Sequence, residues 1–127
     1  MPDSLPLWHL TERRVWTEAL REGAYPWSTR GVSFEDEGFV YCCYPAQIAT
    51  VVRAVYGNAP EPLVVVEIAR GGLGSVPVRL EADPASGVRY PHLYGPLPLR
   101  AVVSVCPVHV LADGEVGIGE PEQSPRG

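Results

Sequence analysis

YPHLYGPLPLRAVVSV, residues 90–105, sets a histidine between two tyrosines, ahead of a turn studded with proline and glycine and an apolar run. Pro91, Gly95, Pro96 and Pro98 leave the backbone little freedom, and residues 101–105 have the apolar, β-branched character of a buried strand. A polar ring at His92 is thus presented on a stiff approach to a core strand. Such placement suits a binding or catalytic site, and it equally suits a hydrogen-bonded packing pair.

Working outward, the chain of 127 residues with 46% hydrophobic content is sized for one domain with a single core. Its 14 prolines and 13 glycines are scattered without period, which predicts many short elements joined by fixed turns and excludes collagen and solenoid architectures. A net charge of -5, with only 10 Lys and Arg, argues against a general grip on nucleic acid and leaves a nucleotide-sized ligand open. No stretch approaches a membrane span, and the N-terminus lacks the basic and long apolar regions of a signal peptide, so a cytoplasmic protein is expected. Cys42, Cys43 and Cys106 fit neither a disulfide framework nor a zinc ligand pair and are expected as reduced thiols.

Residues 7–10, LWHL, read as a strand leading into a helix over 12–22, with Thr11 as its N-cap and Gly23 as its stop. Val15, Trp16, Ala19 and Leu20 would form its inward stripe. Residues 23–37 read as an aromatic loop, a candidate lid, ending in the acidic run 35–37. Residues 38–43, GFVYCC, alternate as a half-buried strand, and Pro45 then opens a helix to about Tyr56, although Tyr44 is a poor N-cap. After a turn at 58–62, residues 63–68, LVVVEI, are the best candidate for a central strand, interrupted by Glu67. RGGLGS at 70–75 lacks the context of a phosphate loop and reads as a turn. A strand over 76–81 and a polar turn over 83–87 return the chain to the opening stretch. The domain is assigned to residues 1–111, and the polar segment 112–127 is expected to be a flexible tail.

The candidate chemistry rests on His9, Tyr41, Cys43, Glu81, His92 and Tyr94, which come from different predicted strands. A Cys-His nucleophilic pair has no supporting local signature, a serine hydrolase has no Gly-x-Ser-x-Gly elbow, and no local ligand pair supports zinc, so no metal is expected. His109, in a late apolar run, reads as structural. His9 on a strand reads, from the residues alone, as a buried histidine bonded to a backbone carbonyl.

Taken together, WHLT, EGFVYCC followed by Pro-Ala-Gln-Ile, LVVVEI, VRLE and above all PHLYGPLPL resemble the domain of unknown function 952 family over about residues 7–110. The resemblance implies an α+β fold with the split antiparallel β-sheet core of the ADP-ribosyltransferase-like proteins and two helices in the N-terminal half. It also implies that His9 and Thr11 stand at the His-x-Thr motif that holds the nicotinamide-side ribose of NAD in that broader fold. Tyr41 stands where the family usually has histidine and Cys43 where it usually has serine. Glu81 matches the acid of a Trp-Glu pair, with Leu80 replacing the tryptophan, while His92 and Tyr94 match the closing motif directly. Ser33, in the candidate lid, joins Thr11, Cys43 and Tyr94 among the expected ligand-binding residues, and His9, Tyr41, Glu81 and His92 are the catalytic candidates.

Three functions follow as expectations. The first is a small enzyme or ligand-binding protein handling NAD or an ADP-ribose-like nucleotide. The second keeps the fold but uses it for acid-base chemistry, such as a cyclisation, on another small molecule of specialised metabolism. The third is a non-catalytic module, which requires both His9 and His92 to be satisfied internally.

Overall fold

The computed structural model describes residues 5–57 and 61–122. Most of the turn expected at 58–62, the end of the expected tail and residues 1–4 of the N-terminal stretch lie outside the described residues. The architecture is α+β, with every strand pair antiparallel. A four-stranded sheet has the order β1-β5-β8-β9, formed by Leu7–Glu12, Leu63–Ile68, Val102–Val110 and Val116–Ile118. A three-stranded sheet has the order β4-β7-β6, formed by Val40–Tyr41, Arg89–Leu93 and Val78–Ala82. Trp27–Thr29 and Val32–Ser33 pair as the hairpin β2-β3, and the helices are α1, Arg13–Glu22, the single turn α2, Phe34–Glu37, and α3, Ile48–Tyr56.

The run LVVVEI forms β5, flanked on both sides, with every residue buried except the half-exposed Glu67. Alternate residues of β5 then feed two cores. Val64, Val66 and Ile68 pack with Leu7, with Trp16 and Ala19 of α1, and with Val40, Cys42 and Leu93 of the second sheet. Leu63 and Val65 pack with Leu10, with the α3 stripe of Ile48, Val51, Val52 and Tyr56, and with Cys43 and Tyr90. Leu20, expected in the α1 stripe, is exposed.

Several expectations change. Thr11 is not a cap: β1 runs on to Glu12 because Thr11 and Glu12 pair with Val64 and Leu63, and the Arg13 amide is satisfied by the Pro62 carbonyl at 2.9 Å. Ladder pairing here outweighs the capping preference of threonine. Helix α1 does stop at Gly23, whose φ of 80° is left-handed, with its N–H on the Ala19 carbonyl. Residues 23–37 are not an open loop, since they hold β2, β3 and α2, and Tyr25 is a core residue bridged to Leu97. The weak cap at Tyr44 is rescued from the other end. Gln47 Oε1 accepts the Tyr44 N–H at 2.9 Å, the Gln47 N–H returns to the Tyr44 carbonyl at 2.8 Å, and a 3-10 turn over Pro45–Gln47 leads into α3.

His92, expected just ahead of the turn, lies on β7, the middle strand of its sheet. Pro91 fits there because its missing N–H falls where β4 ends: Cys42 N–H donates to the Pro91 carbonyl at 3.1 Å, and proline has no donor to return. The strand expected as buried at 101–105 begins at Val102 as the first part of a longer β8: Ala101 is buried in the 3-10 turn before it, Val102 and Val105 are half-buried against the first core, and Val103 is 57% exposed. Residues 112–122 are not a free tail. They turn back as β9, Val116 and Ile118 pack on the α3 core, and Glu122 pairs with Arg13 at 2.5 Å.

Among the described residues, backbone pairing joins the two sheets at one residue pair. Trp8 and Cys43 exchange both backbone hydrogen bonds at 2.8 Å, after which β1 and β4 diverge.

Candidate functional site

His9 sits where the strands part. In an unbroken ladder the Tyr41 carbonyl would face β1; here His9 Nδ1 meets it instead at 2.7 Å. The other ring nitrogen, Nε2, lies 2.6 Å from the Tyr25 hydroxyl, which lies 2.9 Å from Thr11 Oγ1. A carbonyl only accepts, so Nδ1 carries the proton, Nε2 takes the Tyr25 proton, and the Thr11 hydroxyl donates to Tyr25. Burial holds the imidazole down to about 4 against the raising effect of the Tyr41 bond, so the ring is neutral at physiological pH. His9 and Thr11 face the core between the sheets, and Tyr25, treated in the sequence as part of a loop, completes their network.

The opposite face of the three-stranded sheet carries the second constellation. Antiparallel partners share a face and so do residues two apart, which gathers Phe39 and Tyr41 of the β4 segment, His92 and Tyr94 around β7, and Arg79 and Glu81 of β6. His92 Nδ1 donates to Glu81 Oε1 at 2.8 Å, and the Tyr94 hydroxyl donates to the same oxygen. These two bonds, that of Tyr94 first, hold the Glu81 carboxyl below its usual range, and the bond to Glu81 raises the Tyr94 phenol. Phe39 stacks flat on the His92 ring, 4.0 Å between centroids and 9° between planes, and Tyr41 leans on it at 5.4 Å. His92 Nε2 is buried and has no hydrogen-bond partner among the described residues.

The structure therefore brings Tyr41, Glu81, His92 and Tyr94 together and separates them from the side chains of His9 and Thr11. Cys43 shares the His92 face but is buried under α3, which pushes its thiol up to about 12. Burial also raises the Tyr41 phenol, keeping it protonated. Ser33 lies apart, its hydroxyl accepting the Asp36 N–H as the cap of α2. His109 is exposed on β8. Phe39 and Arg79 did not stand out in the sequence, although the two-residue spacings Phe39–Tyr41 and Arg79–Glu81 carried the signal. All three cysteines are free and buried, and no group of three or more His, Cys, Asp or Glu among the described residues is arranged to hold a metal. Cavities of about 140 Å³, beside Thr11, Trp27 and Arg30, and about 370 Å³, beside Tyr56 and Val108, are not lined by His92. No helix among the described residues is long and apolar enough to cross a membrane.

Fold and site define an antiparallel α+β domain whose strands part at a clipped histidine and whose three-stranded sheet carries a His-Glu-Tyr cluster with its imidazole buried. The chain belongs to the family described as protein of unknown function (DUF952), whose model matches residues 10–105. Among solved structures it is similar to Protein CC0527 from Caulobacter crescentus, with 25% identity, a TM-score of 0.70, and coverage of 88% of this chain and 93% of that one. A double mutant of the same Caulobacter crescentus protein gives 24% identity and a TM-score of 0.69, with the same coverage of both chains. A search of curated proteins finds no match.

Proposed function

We propose that this protein handles a small molecule by acid-base chemistry at His92, on a split antiparallel sheet of the ADP-ribosyltransferase-like type. The observation that carries the proposal is the asymmetry of the His92 ring. Nδ1 is pinned on Glu81 while Nε2, buried, has nothing to bond. A neutral ring whose Nδ1–H is held by a carboxylate has a bare Nε2, the form able to accept a proton, and the carboxylate then stabilises the imidazolium. A buried acceptor without a partner costs about 1–3 kcal/mol, a penalty relieved when a substrate N–H or O–H meets it. Glu81 orients the ring, Tyr94 shares that carboxylate, and the Tyr41 ring leans on the imidazole at 5.4 Å. Cys43, held as a thiol by burial, has no part as a nucleophile at neutral pH.

NAD is the ligand that the broader fold suggests, and the residues present do not fit its ribose at the His-x-Thr position. Both His9 nitrogens are engaged, the Thr11 hydroxyl is bonded to Tyr25, and the two residues are 1% and 3% exposed. The non-catalytic alternative fits His9 but not His92, whose Nε2 is unsatisfied.

Two measurements test the proposal. Nitrogen chemical shifts of the histidine side chains should report the Nδ1–H tautomer for His92. A thermal-shift screen of small metabolites, with NAD and ADP-ribose included, should find compounds whose stabilisation is lost in His92→Gln and kept in the wild type. An Nε2–H tautomer at His92, together with no His92-dependent ligand, removes the proposal; an NAD shift abolished by His9→Gln restores the nucleotide alternative in its place.

A further inference from the structure

Arg79 stands directly across from His92 in the β6-β7 register, so its side chain rises on the same face. Its guanidinium lies 4.9 Å from the centroid of the Tyr94 ring, and Tyr94 in turn donates to the carboxylate that holds His92. Glu81, two residues along the same strand, feels the Arg79 charge, but the two do not come within ion-pair distance, and Arg79 makes no ion pair among the described residues. An exposed guanidinium supported by an aromatic plane keeps its fork of N–H donors available for a bidentate anion.

Resting on the reading of His92 as the working group, we infer that Arg79 is the specificity-determining residue of this site and that the ligand is a planar carboxylate monoanion, its carboxylate on Arg79 and its reacting N–H or O–H toward His92 Nε2. Two observations select this class. Arg79 lies against the Tyr94 ring, Tyr94 leans on Phe39, and Phe39 and Tyr41 flank the His92 ring, an aromatic surface that favours a flat unsaturated body over a flexible polar one. Glu81 stays ionised on the same face, so a dianion such as phosphate meets repulsion that a monoanion meets only half as strongly. Arg79 touches the ligand without moving a proton, and His92 acts on the other end of the same molecule.

The test uses benzoate as the planar carboxylate, benzamide as its neutral isostere and inorganic phosphate as the dianion, each titrated into isotope-labelled protein while the His92 side-chain resonances are followed. Benzoate is expected to shift them saturably, with benzamide and phosphate at least about tenfold weaker. Arg79→Gln should weaken benzoate by about tenfold or more and leave benzamide unchanged, and Arg79→Lys, a point charge in place of a fork, should fall between. Melting curves of the Arg79 variants confirm that an exposed position has not cost the fold. Benzamide binding as well as benzoate, an unchanged benzoate affinity in Arg79→Gln, or no saturable response to benzoate overturns the inference. Binding of both isosteres with equal shifts at His92 refutes only the role of Arg79, whereas binding of either that persists unchanged in His92→Gln refutes the underlying site.

Discussion

Acid should weaken this fold through His9, and His9→Gln should remove that weakness. The imidazole falls from its ordinary 6.5 to about 4 because burial penalises its charged form. Between those two values the unfolded chain binds a proton that the folded chain refuses. The stabilisation is therefore complete above pH 6.5 and is lost as pH falls through about 4. At 1.36 kcal/mol per pH unit the gap is worth about 3 kcal/mol, or roughly 10 °C of melting temperature for a domain of this size. Glutamine can still donate to the Tyr41 carbonyl but cannot be protonated. It should cost about 1–3 kcal/mol at pH 7, where Tyr25 loses its acceptor, and less or nothing at pH 4. The assay is urea unfolding of both proteins at several pH values. Glu18, Glu61, Glu81 and Glu122 also have lowered values and lose stabilisation in acid, but equally in both proteins, so the difference isolates His9. Parallel stability curves between pH 4 and 6.5 refute the reasoning, as does an NMR titration of His9 near its ordinary value.

Three further outcomes are expected. Gly72→Ala should destabilise by about 1–3 kcal/mol, because its Cβ would lie 2.6 Å from the Ala101 Cα, while Gly71→Ala, with nothing within 4 Å, should be neutral; equal urea midpoints would count against this close approach. Ending the chain after Leu111 should cost about 2 kcal/mol in chemical unfolding, since half-buried Val116 and Ile118 leave the second core, and an unchanged midpoint would mean that β9 contributes nothing. Gln47→Ala should cost about 1 kcal/mol by the same measure, because it removes the acceptor for Tyr44 N–H and the donor at 2.9 Å to the Arg89 carbonyl; no loss would leave Tyr44 self-sufficient as a cap.

The elements legible in the sequence were those with an uninterrupted apolar pattern. LVVVEI at β5 and the stripe of α3 could pack in only one way. β7 was hidden by Pro91, because the absence of a partner at one backbone position is a property of the neighbouring strand and cannot be read locally. β2, β3 and β9 have three residues or fewer, too short for periodicity to appear. At the site, Glu81, His92 and Tyr94 were named from sequence, and the structure brings them within hydrogen-bonding distance. The partnership of His9 with Tyr25 was not legible, since it depends on a segment 16 residues away folding back onto β1.

The Trp8–Cys43 pair behaves mechanically as the spine of a book. Each page keeps its own ladder if the other swings, so parting them breaks two backbone bonds, the His9 clip and the packing of Val64, Val66 and Ile68 on Val40, Cys42 and Leu93, but no strand pairing within either sheet. Amide exchange at Trp8 and Cys43 would accordingly report how often the pages part, separately from unfolding of the β5 centre.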